Sequence, residues 1–232
     1  MSGYSEFTVA APESLIKIDK AYSLEMATLF GCAIMTGVGA VVNTAKVQPG
    51  TSTAIFGLGG VGLSVVLGLK LVGAYPIIAV DRLENKLVLA KEAGATHVIN
   101  AAEVDPVMAL RDMTDGGAAD VFEAVGSEKV LGQAYQATRK GGRTLTVGLP
   151  DPARELRISA LSLVAEERQL MGSYMGSCVP KRDIPRFMRL YAEGRLPVDI
   201  LNSRFIDLEQ VNESFDALDQ GEVARQIIKF DI

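Results

Sequence analysis

Over most of its length the chain alternates short apolar runs with longer amphipathic ones. Residues 52–56 form an apolar run closed by turn residues, Pro49-Gly50 before it and Gly57 after it. A run of that kind predicts a strand buried on both faces. Residues 59–73 then read as a helix and 77–80 as a second strand. An amphipathic helix over 84–93 is stopped by Gly94, a natural residue for a helix C-terminus. The same alternation predicts strand 97–100, helix 104–113, strand 121–124, helix 127–138, a turn at Lys140-Gly-Gly142 and strand 143–147. Further on it predicts strand 169–172, helices over 184–193 and 208–219, and a last strand over 225–230. Ahead of the regular region, 6–10 and 15–18 read as short extended pieces around Pro12. Helical periodicity follows over 23–44, interrupted by Gly31, Gly37 and Gly39.

Strands joined by helical crossovers must pair in parallel. The predicted fold class is therefore α/β, a doubly wound parallel sheet covered by helices on both faces. No internal repeat or low-complexity segment breaks the pattern.

Composition narrows the function. The chain has 232 residues, of which 48% are hydrophobic and 22% charged, the balance of a soluble globular protein. Its net charge is −5 and no stretch gathers Lys and Arg into a stripe, so nucleic acid and anionic membrane are poor partners. The longest apolar runs, such as 62–69, fall well short of the roughly 20 residues of a membrane span. The N-terminus lacks the pattern of a signal peptide. Two cysteines, Cys32 and Cys178, cannot build a disulfide framework, which suits a reducing cytoplasm. The single histidine, His97, leaves little for zinc or serine hydrolase chemistry.

The densest chemical signal is Gly57-Leu58-Gly59-Gly60-Val61-Gly62. A dinucleotide pyrophosphate needs a sharp turn after the first strand, backbone that can approach the phosphates, and a helix packed closely on the strand. Gly57, Gly59 and Gly62 stand at the spacings those three tasks require. The helix that begins there directs unpaired N–H groups and its positive dipole end at the anion. Asp81 lies nineteen residues beyond Gly62, at the end of the second predicted strand, where a carboxylate can accept hydrogen bonds from the adenosine ribose. It selects NAD over NADP by repelling a 2′-phosphate, although Arg82 beside it could accommodate one. A tight turn in another α/β protein, with Asp81 capping the next helix, shares part of this pattern. So does a methyltransferase, although its loops seldom carry all three glycines at this spacing. A short-chain reductase is disfavoured, because none of the six tyrosines is followed four residues later by lysine.

Several ordered motifs together resemble the zinc-type medium-chain alcohol dehydrogenases. They are Gly31-Cys32, Thr36-Gly37, Ala40 through Asn43-Thr-Ala-Lys-Val, Pro49-Gly50 and Phe56-Gly-Leu-Gly-Gly-Val-Gly62-Leu-Ser. Further along come Gly94-Ala-Thr, Glu123-Ala-Val-Gly126, Lys140-Gly-Gly, Val147-Gly148 and Gly221-Glu-Val-Ala-Arg225. The resemblance is nearest to the class III members, which oxidise the glutathione adduct of formaldehyde, and to their bacterial relatives. It implies a Rossmann domain over 23–190, preceded by a remnant of a barrel-like catalytic domain over 1–22. A C-terminal segment over 191–232 is expected to complete the Rossmann sheet and pack on that remnant.

The resemblance also assigns roles. Cys32 matches a ligand of the catalytic zinc, which in such enzymes polarises the alcohol oxygen while NAD accepts the hydride. The other zinc ligands and the proton relay belong to an N-terminal domain that this sequence does not contain. The expectation is a chain that binds NAD without holding zinc and without turning over alcohol. The other reading is a non-catalytic dinucleotide-binding module. Thr36 matches a residue against the nicotinamide, Lys86 a cation near the adenosine ribose, and Val125 with Gly126 the crossing between the two halves of the coenzyme. Val147 and Leu149 match backbone groups for the carboxamide, and Arg225 a pyrophosphate-binding arginine. His97 and Cys178 receive no role. The segment 169–176 matches the edge through which family members dimerise, and its apolar character would make a bare edge prone to aggregate.

Overall fold

A computed structural model describes residues 3–201 and 204–230, and every structural statement below concerns these. Six strands form one sheet: β1 (Thr53–Phe56), β2 (Ile77–Asp81), β3 (His97–Asn100), β4 (Ala118–Glu123), β5 (Thr138–Thr146) and β6 (Gln169–Gly172). All neighbours pair in parallel in the order β3-β2-β1-β4-β5-β6. The order reverses between β1 and β4, which opens a crevice beyond the C-terminal ends of those strands.

Helices α3 (Gly60–Val72), α4 (Glu84–Ala93), α5 (Pro106–Met113) and α6 (Glu128–Ala137) make the first four of the five crossovers. Two further helices, α2 (Ala33–Gly39) and α8 (Pro180–Ala192), join α3 and α4 on one face. Ile55, Ala79, Phe122 and Leu145 point to that face. Ala54, Phe56, Ile78, Val80 and Val121 point to the other, against α5 and α6. Both faces being buried is why the central strands read as unbroken apolar runs. No single helix among the described residues is long and apolar enough to cross a membrane.

Four expectations are corrected. The pieces at 6–10 and 15–18 form no strand. This region has one 3-10 turn, Pro12–Ser14, and its side chains are mostly exposed, with no neighbouring strand to complete a ladder. The expected helix over 23–44 is broken into α1 (Leu24–Ala27), a 3-10 turn (Thr28–Gly31), α2 and a wide turn over Ala40–Ala45; Cys32 makes the break at φ −140, ψ −76. The glycine turn at 140–142 lies within β5 as a bulge, where pairing jumps from Ala118–Thr138 to Asp120–Arg143. The Thr138 and Thr144 hydroxyls meet at 2.7 Å across it. Finally, the C-terminal segment does not complete the large sheet. Its strands β7 (Arg204–Ile206) and β8 (Gln226–Ile228) pair with each other, because the preceding loop is tied to α4 and not to the β6 edge. Two helices also join the list: α7 (Ala160–Ala165), which the pattern missed, and α9 (Val211–Asp219), which covers most of the expected 208–219.

At the opposite end from the crevice, buried Asp120 receives Nε and Nη2 of Arg143, each at 2.6 Å. Arg143 also donates to the Ala45 carbonyl at 2.6 Å, tying the sheet to the turn after α2. Replacing Arg143 by Met leaves Asp120 buried without its partner and should cost about 3 kcal/mol. Urea unfolding checks this: the midpoint should fall without a change in slope, and an unchanged midpoint would refute it.

Candidate functional site

The crevice is built around the turn between β1 and α3. Gly57 leaves β1 with φ +89, a conformation that side-chain-bearing residues rarely adopt, and its amide bonds the Val80 carbonyl at 2.9 Å. A Cβ on Gly62 would collide with the Gly57 carbonyl oxygen, so α3 can start only if that position is bare. Gly59 is different: a Cβ there would meet no protein atom within 4 Å. That opening leaves backbone accessible beside the first amides of α3, which have no acceptor within the helix. Leu58 is buried beneath the turn, and Val61 is half-buried on the first turn of α3.

Asp81 holds this turn from the end of β2. Its Oδ2 accepts the Leu58 amide at 2.7 Å, and Oδ1 accepts the amides of Arg82 at 2.7 Å and Leu83 at 3.1 Å. A carboxylate offers about four acceptor directions, so capacity remains for a further donor. Asp81, Arg82, Gly57, Val125, Asp219 and Gln220 help line a cavity of about 790 Å³, open to solvent. Lys86 does not extend into solvent. It is buried, and Nζ donates to the Val223 carbonyl at 2.6 Å. Burial pushes its pKa below the usual lysine value, against the opposing pull of Asp81.

A second carboxylate does the same on the other side of β1. Buried Glu123, the last residue of β4, accepts the amides of Val125 at 2.7 Å and Gly126 at 2.6 Å through Oε1. Its Oε2 accepts the Thr146 hydroxyl at 2.8 Å. Sequence reasoning quoted Glu123 within a motif but gave it no task. Its position at the end of an apolar run, as for Asp81, was the available signal. Val125 packs on Gly57, and Gly126 with φ +80 abuts the Leu149 backbone. Leu149 is exposed. The Val147 amide is already taken by the Glu123 carbonyl at 2.9 Å, so of its backbone groups only the carbonyl could serve a ligand.

Arg225 closes the turn from above. Its guanidinium packs on Gly60, and the buried Nε has no hydrogen-bond partner among the described residues. Arg225 thus places a cation beside the N-terminus of α3, where negative charge is favoured. Arg225 also lines a second cavity, of about 430 Å³, together with Cys32, Thr28, Leu29 and Ala33. Cys32 is exposed, and its carbonyl accepts the amide of buried Thr36 one turn later at 2.9 Å. No group of three or more His, Cys, Asp or Glu side chains that could hold a metal ion occurs among the described residues. The donors around Cys32 therefore do not fit a zinc site. His97 is exposed on β3, its Nδ1 2.9 Å from the Thr96 hydroxyl.

This topology and this turn define an α/β domain of the Rossmann kind. Residues 60–193 match the family model of zinc-binding dehydrogenases, more than half of the chain. An alcohol dehydrogenase zinc-binding domain protein from Burkholderia ambifaria superposes with a TM-score of 0.89 at 38% identity, over 94% of this chain and 58% of that one. Benzyl alcohol dehydrogenase from Acinetobacter calcoaceticus gives 0.89 at 38% identity, over 93% and 59% respectively. The alcohol dehydrogenase of Aeropyrum pernix gives 0.84 at 30% identity, over 98% and 65%. The chain belongs to the zinc-binding dehydrogenase family and spans roughly three fifths of the length of these relatives. Family membership removes the methyltransferase reading. It holds at the level of the family and does not single out the class III enzymes.

The two thiols differ in kind. Cys178 is half-buried, donates to the Met35 carbonyl at 3.3 Å and accepts from Asn43 Nδ2 at 3.3 Å. Burial and then the charge of Asp183 push its pKa up to about 12. At pH 8 only about one molecule in ten thousand would carry the Cys178 thiolate, the reactive form. Iodoacetamide at that pH should modify Cys32 and spare Cys178, as read by peptide mass spectrometry; equal modification would contradict this.

Proposed function

We propose that this chain is the NAD-binding half of a zinc-type alcohol dehydrogenase and that alone it binds the coenzyme without oxidising alcohol. The observation that carries the reading is the anion subsite at the glycine turn. Gly59 is open to the outside, and the Arg225 Nε is buried and unpaired over Gly60. The cavity flanked by Asp81 would take the adenosine, with the ribose hydroxyls donating to that carboxylate. Val125 and Gly126 would carry the coenzyme across the end of β4 towards Thr36 and Cys32. A bound nicotinamide supplies hydride acceptance from an alcohol carbon and hydride return to an aldehyde. This chain's residues bind it and orient it. Because the donors here do not make a zinc site, alcohol turnover is assigned to the whole enzyme.

Asp81 supports NAD over NADP: its two oxygens already face three backbone amides, and a 2′-phosphate would meet its charge. Calorimetric titration is the test. NADH should bind more tightly than NADPH. Gly59→Ala, which meets no protein atom, should keep the melting temperature while weakening NADH at least about tenfold, roughly the worth of one charge-assisted contact. No heat with either coenzyme, or an unaffected Gly59→Ala, would overturn the proposal.

Self-association through β6 is part of the same proposal. This strand is the sheet edge, and Leu170 and Tyr174 beside it are exposed. The ladder ends at Gly172, since Met175 and Gly176 turn into left-handed backbone, so the pairing edge is four residues and not the whole of 169–176. Pairing two such edges would give a continuous sheet. Light scattering should report a dimer at moderate concentration, and a monomer would remove the idea.

A further inference from the structure

A cluster of arginines stands at the end of the molecule away from the crevice. Helix α3 runs 13 residues from the glycine turn, roughly 20 Å, and its last residues Leu71 and Val72 line a separate cavity of about 410 Å³. Val42, on the wide turn after α2, extends this apolar floor. Arg186 and Arg189 reach the cavity from α8, three residues apart and so on one helix face. Arg195 reaches it from the chain beyond α8. The end of that helix brings it there. Gly194 is left-handed at φ +70, and its amide bonds the Tyr191 carbonyl at 2.8 Å. The Arg195 amide bonds the Leu190 carbonyl at 2.9 Å, which folds the chain back on the last turn of α8.

These guanidiniums are short of anions. Among the residues lining the cavity, Glu193 is the one acid against three arginines, in a chain whose net charge is −5. Among the described residues no side-chain hydrogen bond engages Arg186, Arg189 or Arg195, and their nearest ion-pair contact is Arg186 to Asp183 at 4.0 Å. Asp183 is committed elsewhere. It is buried and accepts Nε and Nη2 of Arg182 at 2.9 and 2.8 Å and the Val179 amide at 2.8 Å. Asp183 and Glu193 make 181–195 read as a mixed-charge stretch in the sequence, and only the fold separates the spent acid from the free arginines. The negative ends of α3 and α8 favour nearby cations, but they neither cancel the surplus charge nor take up the guanidinium donors.

We propose that this cavity binds a small multivalent phosphate, held by Arg186, Arg189 and Arg195. Each guanidinium can hold an oxyanion through two parallel hydrogen bonds. A phosphate group supplies up to two negative charges and three acceptor oxygens, which matches the surplus of three cations over one acid. The site is separate from the crevice, so it stands whether or not the coenzyme reading does.

Inorganic triphosphate, titrated at constant ionic strength, is the probe. Backbone amide NMR shifts should move at 71–72 and 186–196, and calorimetry should give one binding constant for that site. Arg189→Gln and Arg195→Gln should each weaken triphosphate about tenfold, the loss of one charge-assisted contact. Both positions are exposed, so the variants should keep the urea midpoint of the wild type. Lys129→Gln is the control. It removes the same charge from an exposed position on α6, across the sheet, and should leave the affinity within about twofold. Triphosphate should also raise the melting temperature of the wild type more than that of Arg189→Gln. Shifts confined to 58–63 would place the anion at the glycine turn and overturn the proposal, as would no binding at all. Equal weakening by Lys129→Gln would reduce the effect to diffuse charge and overturn it too.

Discussion

The first turn of α3 must begin directly against the end of β1, and the contact between Gly62 and the Gly57 carbonyl is what permits it. Any side chain at Gly62 would force the helix away from the strand. Helix α3 cannot move alone, because it is buried along most of its length and packs against both the sheet and α2. Displacing it would shift α2, and with α2 the positions of Cys32 and Thr36. The same contact fixes where the free amides of α3 point. One steric allowance thus sets both the packing of a face and the direction of the helix's free amides.

Two carboxylates then make the crevice rigid before any ligand arrives. A parallel strand that ends in a loop leaves amides without partners. Asp81 at the end of β2 and Glu123 at the end of β4 take up five such amides between them, and Glu123 also takes the Thr146 hydroxyl. The acids flank β1 on its two sides, so the glycine turn sits between matching braces. The chief differences are exposure and spare capacity. Glu123 is sealed and structural, whereas Asp81 borders the open cavity and can still accept a ligand hydroxyl.

The sheet was legible because parallel strands buried on both faces leave unmistakable apolar runs. Residues 77–81 and 97–100 hardly move between expectation and structure. The glycine spacing was legible for a steric reason that the Gly57 and Gly62 geometry bears out. What escaped depends on partners distant in sequence. Whether 6–10 becomes a strand depends on a neighbour, and 226–228 pairs with β7 because α4 captures the loop before it. Lys86 looks like any amphipathic-helix lysine until Val223, 137 residues away, provides its acceptor. Cys32 was recognised by motif, but a metal site is a property of several donors in space, and the donors near it are too few.

In the proposed complex a nicotinamide dinucleotide lies along the glycine turn with its phosphates between α3 and Arg225. A titration of the isotope-labelled chain with NADH, followed by backbone amide NMR shifts, tests this most directly. The largest shifts should fall at 58–63 and at Arg225, with smaller ones at Asp81, Val125 and Gly126. Shifts confined to other parts of the chain, or none at saturating NADH, would contradict it.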